Sequence, residues 1–354
     1  MVKLTGNIRK FGLEKFLTLL AFFAVFAGFG FAQTRTPTPP DVPKRVIVRP
    51  FPTAPKARIA KRIRNESEIP AEKSIAVDAK VSISLCVNDG NIKVNGWDRN
   101  EIRALVDGGS SVGFKVLKKN VQNSPVWLKV LGFDPMKNLE IGIDECLSGE
   151  NIELDVPRGA TIEIKGNQFD AAIESVNKAS VKNNGGNITF NEIAQGVNAF
   201  TYEGDVRVEN SGGVMTLNST NGNILAFNVE PIQVNDIFTA RTISGAVSLQ
   251  MIKHSQVDTN STSGIINFLG NLLSGGQYNF GTQNGSILLT VPQTSSCAVT
   301  ALYGFGNFQT EIPMTNVDKT PAGQVQKLTG QIGAGDATLN LKTYSGAISI
   351  KKIQ

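Results

Sequence analysis

The stretch TYSGAISI, residues 343–350, lies near the end of the chain and has near-copies upstream: TISGAVSL at 242–249, STSGIINF at 261–268 and TQNGSILL at 282–289. Their shared core is Gly-x-apolar-x-apolar. With Ser/Thr-x-Ser/Asn in front, it recurs at glycines 23, 19, 21 and 61 residues apart: Gly222, Gly245, Gly264, Gly285 and Gly346. The last gap equals about three steps of roughly twenty residues, and a period near twenty is typical of the rungs of a solenoid.

Each copy of this motif predicts a corner followed by a strand. A glycine after Ser or Asn readily takes the left-handed conformation that turns the chain, and Gly90 is expected to act in the same way. In the strand that follows, the second and fourth side chains after the glycine point inward, so Ile348 and Ile350 are expected in the core. One rung cannot bury its inner face alone, whereas stacked rungs can.

The rest of the chain from about residue 74 also favours strands. Apolar residues recur with a period of two, as in Val81-Ile83-Leu85 and Ile152-Leu154-Val156, and turn residues interrupt them every eight to twelve positions. No convincing amphipathic helix is present. The sequence therefore predicts an all-β fold, a single flattened β-solenoid of short strands with rungs of about twenty residues.

The first thirty-two residues are predicted to be a signal peptide. Four basic residues precede an uncharged apolar run from Phe16 to Ala32, which ends in small residues suited to cleavage before Gln33. The alternative is an uncleaved anchor, because about seventeen apolar residues is the lower limit for a membrane span. Either outcome exports the bulk of the chain to the periplasm, the cell surface or the medium.

Residues 33–73 are predicted to be a basic, proline-rich linker. Seven of the fifteen prolines fall within residues 33–58, which favours an extended spacer. Residues 1–32 carry a net charge of +3 and residues 33–65 carry +8, so the total of +5 leaves −6 for residues 66–354. The linker is either a solvated spacer or a tether to an anionic surface such as lipid headgroups.

The chain has three cysteines, Cys86, Cys146 and Cys297, which are too few for a disulfide framework. Cys86 and Cys146 each end a strand-like run before a turn. One disulfide between them and three buried free thiols are both compatible with this spacing.

Residues 87–98, VNDGNIKVNGWD, resemble the opening of the toastrack family of exported bacterial proteins, which are also named as adhesins. The Ser/Thr-x-Ser-Gly corners are similar to those of the family's later rungs. The resemblance spans residues 74–354 and implies a right-handed, flattened β-solenoid in the envelope, with no catalytic residues to carry over. Residues 74–165 are expected to form an irregular cap and the first rungs, and residues 166–354 the repeated rungs.

Two segments depart from a regular stack. The period is lost over residues 99–150, and residues 313–333, PMTNVDKTPAGQVQKLTGQIG, are interpreted as a loop insertion.

A search for catalytic and metal-binding motifs finds little. The single histidine, His254, has no nucleophile elbow nearby and is predicted to be a surface residue. No Cys-x-x-Cys or calcium-binding nonapeptide repeat is present, and Gly304-Phe305-Gly306 lacks the third glycine of a phosphate loop. The sequence predicts no catalytic residues, no metal site and no cofactor.

One group of acids deserves consideration, because solenoids often host enzymes that cleave polysaccharides. Glu203, Asp205 and Glu209 surround Gly204, and glycosidases need two carboxyl groups at a defined separation. Acids are sparse and mixed with basic residues over the rest of residues 180–354, which favours solvated turn charges instead. The group remains a weak candidate carboxylate cluster.

The favoured function is an exported, non-enzymatic, adhesin-like module that presents a polar solenoid face, with Trp97 or Tyr344 as a candidate aromatic platform. For Trp97, which follows Gly96, the favoured interpretation is an anchor that caps the first rung. An envelope-stress sensing module held at the membrane is the alternative, and a polysaccharide-active enzyme on a β-helix is the third. Envelope polysaccharide, an anionic lipid surface or another envelope protein are the expected partners. Nucleic acid is a poor candidate for an exported chain.

Overall fold

The computed structural model describes residues 71–133 and 146–353. The predicted signal peptide and nearly all of the predicted linker lie outside the described residues. The first strand begins at Ala71. Over the described residues the chain forms strands and turns without a helix, as the alternating pattern predicted.

Twenty-five strands make up the described part of the chain. In chain order they are β1 (Ala71–Ala76), β2 (Ser82–Trp97), β3 (Glu101–Asp107), β4 (Ser111–Lys119), β5 (Pro125–Phe133), β6 (Leu147–Pro157), β7 (Thr161–Glu174), β8 (Lys178–Gly185), β9 (Ile188–Asn191), β10 (Val197–Glu203), β11 (Val206–Gly212), β12 (Met215–Asn221), β13 (Ile224–Glu230), β14 (Ile237–Ser244), β15 (Val247–Ile252), β16 (Gln256–Ser263), β17 (Ile266–Leu269), β18 (Gln277–Asn284), β19 (Ile287–Val291), β20 (Cys297–Phe305), β21 (Phe308–Thr310), β22 (Thr315–Ala322), β23 (Val325–Ile332), β24 (Ala337–Ser345) and β25 (Ile348–Lys352).

From residue 178 onward the strands form two stacks of parallel strands. The first stack has the order β8-β10-β12-β14-β16-β18-β24-β20, and the second has the order β9-β11-β13-β15-β17-β19-β25-β21. Consecutive strands such as β10 and β11 belong to different stacks and together form one rung. The repeated motif therefore builds a solenoid-like stack, and the predicted fold class is confirmed.

The strands of a stack are held in register, so equivalent inward side chains form columns through the core. One column in the second stack consists of β-branched residues that are all fully buried: Ile188, Val206, Ile224, Val247, Ile266, Ile287 and Ile348. Each such burial stabilises the fold by about 1.5–3 kcal/mol relative to an exposed side chain. The second position after each glycine therefore supplies the core, as predicted.

At the turn between the two stacks, which we call the glycine corner, the glycines lie directly above one another. A Cβ atom added at any of them would lie 1.9–2.2 Å from the carbonyl oxygen of the preceding glycine in the column: Gly204, Gly222, Gly245, Gly264, Gly285 and Gly346. Gly306 continues the column, because its Cβ would lie 1.9 Å from the oxygen of Gly346. Because successive rungs approach so closely, only glycine fits at these positions of the glycine corner.

This geometry corrects the predicted reason for the glycines. Gly90, Gly245 and Gly346 have φ values of 105°, 155° and 148°, whereas Gly222, Gly264 and Gly285 lie outside the left-handed region. The prediction of a left-handed turn at every corner was wrong for these last three, since their φ angles suit any residue. The constraint shared by all six, Gly90 included, is the nearby carbonyl oxygen of a neighbouring rung.

The first residue of the Ser/Thr-x-Ser/Asn-Gly motif has its own role at this corner. Its buried hydroxyl donates to the carbonyl of the glycine one rung before, as from Thr242 to Gly222 at 2.9 Å and from Ser261 to Gly245 at 3.0 Å. Thr343 continues the pattern to Gly285 at 2.8 Å. A buried hydroxyl needs a hydrogen-bond partner, and the preceding rung supplies it. The Ser or Thr of the motif is therefore satisfied only when the rungs are stacked.

Residues other than glycine take the left-handed conformation near the C-terminal ends of the second-stack strands, a position that we call the far corner. Ser175, Glu192, Asn210, Asn228 and Met251 have φ values of 48–57° there. Asparagine tolerates this conformation, and Asn210 and Asn228 also form a side-chain ladder in which Asn228 Nδ2 donates to Asn210 Oδ1 at 2.9 Å. Methionine lacks both advantages.

The spacing predicted three rungs, stacked in chain order, within the 61-residue gap before Gly346. The structure does not show this arrangement. Strand β24 pairs in parallel with both β18 and β20, and β25 pairs with both β19 and β21. The last rung in the sequence is therefore inserted between two rungs that precede it in the chain.

The predicted loop insertion at 313–333 was also wrong. Residues within it form the antiparallel hairpin of β22 and β23, and β23 pairs antiparallel with β20. The sequence alternates too weakly to reveal β22, which is exposed along its whole length and carries Asp318, Lys319 and Pro321. Charge and proline on an outermost strand oppose pairing with further chains.

At the other end, β2 contributes to both stacks. Its first half pairs with β5, its second half pairs with β6, and β7 pairs with it along most of its length. Strands β1 and β3 add antiparallel pairs outside β6, and β4 does so outside β5. A disulfide joins Cys86 of β2 to Cys146, with Cα atoms 4.5 Å apart.

Replacing Gly264 by alanine tests the close approach at the glycine corner. Since the new Cβ would lie 1.9 Å from the Gly245 oxygen, we expect G264A to lower the free energy of unfolding by about 3 kcal/mol in urea titrations followed by circular dichroism. The matched control is G281A, whose Cβ would meet only the mobile amide of Asn260, and which we expect to change stability by less than about 0.5 kcal/mol. Equal effects of the two substitutions would contradict the packing argument.

Met251 provides a stabilising test at the far corner. Asparagine suits a φ of 55° better than methionine does and would extend the Asn210–Asn228 ladder by one rung, so we expect M251N to raise the free energy of unfolding by about 0.5–1 kcal/mol. M251A removes the same side chain without relieving the backbone and serves as the control. The interpretation fails if the alanine variant gains as much stability as the asparagine variant.

Candidate binding surface

The outward side of the first stack is largely polar, although Tyr202 and Ile243 are also exposed there and Arg241 and Lys342 carry charge. Its central rungs present amides and hydroxyls in rows, among them Asn198, Thr216, Asn218, Thr220, Thr239, Asn260, Thr262, Asn279, Gln283 and Asn340. Asn340 Nδ2 donates to Asn279 Oδ1 at 2.9 Å, and Arg241 pairs with Asp258 at 2.6 Å. Most of these groups remain available to an external ligand or to water.

A second polar row follows the glycine corner directly. Asp170, Asn187, Asp205 and Asn223 lie one above the other, and one oxygen of each accepts the backbone N–H of the next rung at 2.6–2.9 Å. The row ends at Ala246, whose N–H is the last donor. These side chains replace the backbone hydrogen bonds that the turn leaves open, so their role is structural.

Two of the three acids in the candidate carboxylate cluster have hydrogen-bond partners of their own. Asp205 belongs to the structural row, where its Oδ1 accepts the Asn223 N–H at 2.7 Å. Glu209 accepts a hydrogen bond from Arg207 Nε at 2.8 Å. Because Glu209 follows Asp205 by four residues, the two lie about 13 Å apart along the strand, at about 3.3 Å per residue. Glu203 is exposed on β10, before the corner. Asp205 and Glu209 therefore have separate partners, whereas Glu203, two residues before Asp205, is exposed.

The two aromatic residues singled out in the sequence differ in their surroundings. Trp97 is half-buried at the end of β2, its Nε1 donates to the Glu101 carbonyl at 2.8 Å, and the Arg99 guanidinium lies 4.9 Å from its ring centroid. Its ring face is therefore covered. Tyr344 lies on the outward side of β24 and is 41% exposed.

Tyr344 also has an aromatic neighbour that the sequence did not suggest. Phe305 at the end of β20 is 70% exposed, and its ring meets that of Tyr344 at a centroid distance of 5.5 Å and an interplanar angle of 83°. By register Phe305 occupies the position of Ser345, the small polar residue before the corner glycine. Comparing Gly304-Phe305-Gly306 with Tyr344-Ser345-Gly346 would have revealed the substitution.

His254 is fully buried, so the prediction of a surface residue was wrong. Its Nε2 donates to the Gly213 carbonyl at 2.8 Å, its Nδ1 has no partner, and the Phe238 ring packs edge-on at 5.8 Å. Burial lowers the pKa of His254, and the hydrogen bond to Gly213 and the charge of Asp236 oppose that shift. The polar flanks Lys253 and Ser255 concealed an inward-pointing position.

The remaining thiol is inert. Cys297 is free and buried at the start of β20, and burial raises its pKa to about 11. Among residues 71–133 and 146–353, no three His, Cys, Asp or Glu side chains are grouped so as to hold a metal ion. Within the same ranges, no helix has the length and apolar character to span a membrane.

The fold and its surface define a class, an all-β solenoid-like stack with polar outward rows. The family model Toastrack DUF4097 matches residues 134–351, so the chain belongs to the Toastrack family. Residues 87–98, whose sequence resembles the opening of this family, lie before the matched region.

A comparison with solved structures finds two that match at low identity. A "putative cell adhesion protein" from Clostridium sporogenes is 11% identical, with a TM-score of 0.24, over 80% of this chain and 100% of that one. A "putative adhesin" from Bacteroides fragilis is 12% identical, with a TM-score of 0.33, over 81% of this chain and 98% of that one. Both scores are low, so the family assignment rests on the sequence match. A comparison with curated proteins found no match.

The buried histidine predicts an acid-sensitive fold. The pKa of His254 in the folded chain lies below its unfolded value near 6.5, so the unfolded chain binds the proton more readily. The free energy of unfolding therefore decreases as the pH falls from the unfolded pKa toward the folded one. We expect urea midpoints measured from about pH 7.5 to about pH 5.5 to fall less for H254Q than for the wild type. Glutamine retains a donor for the Gly213 carbonyl and does not titrate. Parallel pH profiles would exclude His254 as the cause.

Proposed function

We propose that this chain is an exported, non-enzymatic module of the cell envelope that binds through the polar outer surface of its solenoid. The observation that carries the proposal is the outward side of the first stack, where rows of uncharged amides and hydroxyls stand on a rigid parallel sheet. Such a surface offers many hydrogen-bond partners in fixed positions and almost no enclosed space for catalysis.

The arrangement of the acids supports a non-enzymatic role. Asp205 and Glu209 are already engaged by the backbone of the next rung and by Arg207, respectively. General acid–base catalysis on a sugar needs two carboxyl groups facing one bond, and this chain's leading candidates face different groups.

The sequence and family support export to the envelope. The apolar run from Phe16 to Ala32 and the proline-rich segment after it suit a leader and a spacer that carry the solenoid beyond the membrane. Of the expected partners, envelope polysaccharide fits the outward rows best, because hydroxyl-rich polymers match an uncharged surface of amides and hydroxyls. Anionic lipid fits the basic linker, and would leave those rows without a role.

Recovery of the native protein from its host tests the localisation. We expect an intact mass beginning at Gln33 in the periplasmic or secreted fraction. A mass that retains residues 1–32 in the membrane fraction would favour the anchored envelope-stress module. Recovery from the cytoplasm would contradict both functions.

Co-sedimentation tests the partner. We expect the full-length mature protein to sediment with purified envelope polysaccharide and to remain in solution with vesicles of phosphatidylglycerol and phosphatidylethanolamine at physiological salt. Sedimentation with the vesicles alone would contradict the polysaccharide proposal. Release of reducing sugar from the polysaccharide, lost in D205N, would contradict the non-enzymatic one.

A further inference from the structure

The feature that packing leaves unexplained is the pair of rings formed by Phe305 and Tyr344. Phe305 is 70% exposed, and the 83° angle between the rings forms an L-shaped aromatic pair open to solvent. Other rungs place Ser or Asn where Phe305 stands, as at Ser345 and Asn284. The solenoid therefore does not require an aromatic residue there.

The Tyr344 ring lies along the sheet. A Cβ atom placed on Gly304 of the neighbouring strand would be 3.3 Å from Tyr344 Cδ2, and the Tyr344 hydroxyl donates to Gln324 Oε1 at 3.3 Å. Gln324 lies in the turn of the β22–β23 hairpin, on the far side of β20. The ring thus spans the gap that Gly304 leaves, with one face toward the sheet and one toward solvent.

The supports of both rings are rigid. Tyr344 and Phe305 lie on β24 and β20, which pair in register from Cys297 to Phe305. Gly306 packs against the Gly346 carbonyl directly beyond Phe305, at the end of the glycine column. A ligand would therefore meet two preset rings with little ordering cost.

The surroundings identify the chemistry of the ligand. The register neighbours of the pair, Gln283, Asn284 and Ser345, are uncharged, and Lys342 is the nearest charge on the same side of β24. The Nε2 of Gln324 makes no hydrogen bond to any of the described residues. The apolar area of two rings is far below that of a stable protein interface, which takes about 800 Å² from each partner. A sugar ring suits the site, because its C–H face stacks on an aromatic ring while its hydroxyls reach amides at the rim.

We propose that Phe305 and Tyr344 form a subsite for one neutral sugar ring of an envelope polysaccharide, with the Gln324 amide at its rim. The proposal of this subsite rests on the proposed polysaccharide-binding function. At the subsite, a chain end or a branch of the polymer is held. The polar rows of the first stack extend from it over the preceding rungs.

Titration calorimetry of the full-length mature protein tests the subsite. The probes are hexasaccharides of β-1,4-linked glucose, β-1,4-linked N-acetylglucosamine and α-1,4-linked glucose. We expect at least one to bind saturably, and F305A and Y344A to weaken that binding about tenfold each, the loss of one stacking contact. We expect Y344F, which retains the ring, to change it by less than about threefold.

The control variant is F227A, which removes a ring as exposed as that of Tyr344 from the outward side of the second stack. We expect F227A to bind like the wild type and all variants to keep the wild-type circular dichroism spectrum. Absence of saturable binding to every probe, or a loss as large in F227A, would overturn the subsite. A dimer of the wild type that F305A abolishes in sedimentation velocity would overturn it in favour of a second copy as the occupant.

Co-sedimentation of F305A with whole envelope polysaccharide separates the two proposals. Sedimentation equal to the wild type would reject the subsite and leave the envelope-binding function intact. Failure of the wild type itself to sediment would reject the function as well.

Discussion

The close approach of successive rungs at the glycine corner organises the rest of the solenoid. Each rung brings its backbone so near the carbonyl of the preceding glycine that no Cβ atom fits between them, and a buried Ser or Thr hydroxyl donates to that same carbonyl. This contact fixes the position of one rung on the next at a single point. The strands on both sides then pair in parallel without a shift, and their inward side chains meet in columns.

A constant register also organises the outer surface. Equivalent outward positions form rows, so a residue type repeated in the sequence becomes a continuous strip on the molecule. The row from Asp170 to Asn223 shows that such a strip can serve the fold, since its oxygens accept backbone N–H groups. Phe305 ends a row of mostly small polar residues, and an exposed ring without a packing role is the kind of feature at which function is expected.

The sequence predicted the fold better than it predicted the site, for physical reasons. Period-two alternation and the Gly-x-apolar-x-apolar motif depend on local geometry, so they specified strands, corners and core positions such as Ile348. The order of the rungs depends on pairing between distant segments, and a spacing of 61 residues could not show that β24 lies between β18 and β20. His254 failed for a related reason, because its polar neighbours in sequence are not its neighbours in space. The aromatic pair joins residues from two strands, and only their register brings them together.

The position of β24 and β25 has a consequence for biosynthesis. These strands are made after β18 to β21, yet they fill an interior place between the two rungs that those strands form. Until they arrive, β18 and β20 each present an unpaired parallel edge, and long-range pairings of this kind form slowly. Any chain that stops early is therefore missing a middle layer instead of an end. The stack can therefore close only after the chain has been synthesised through β25.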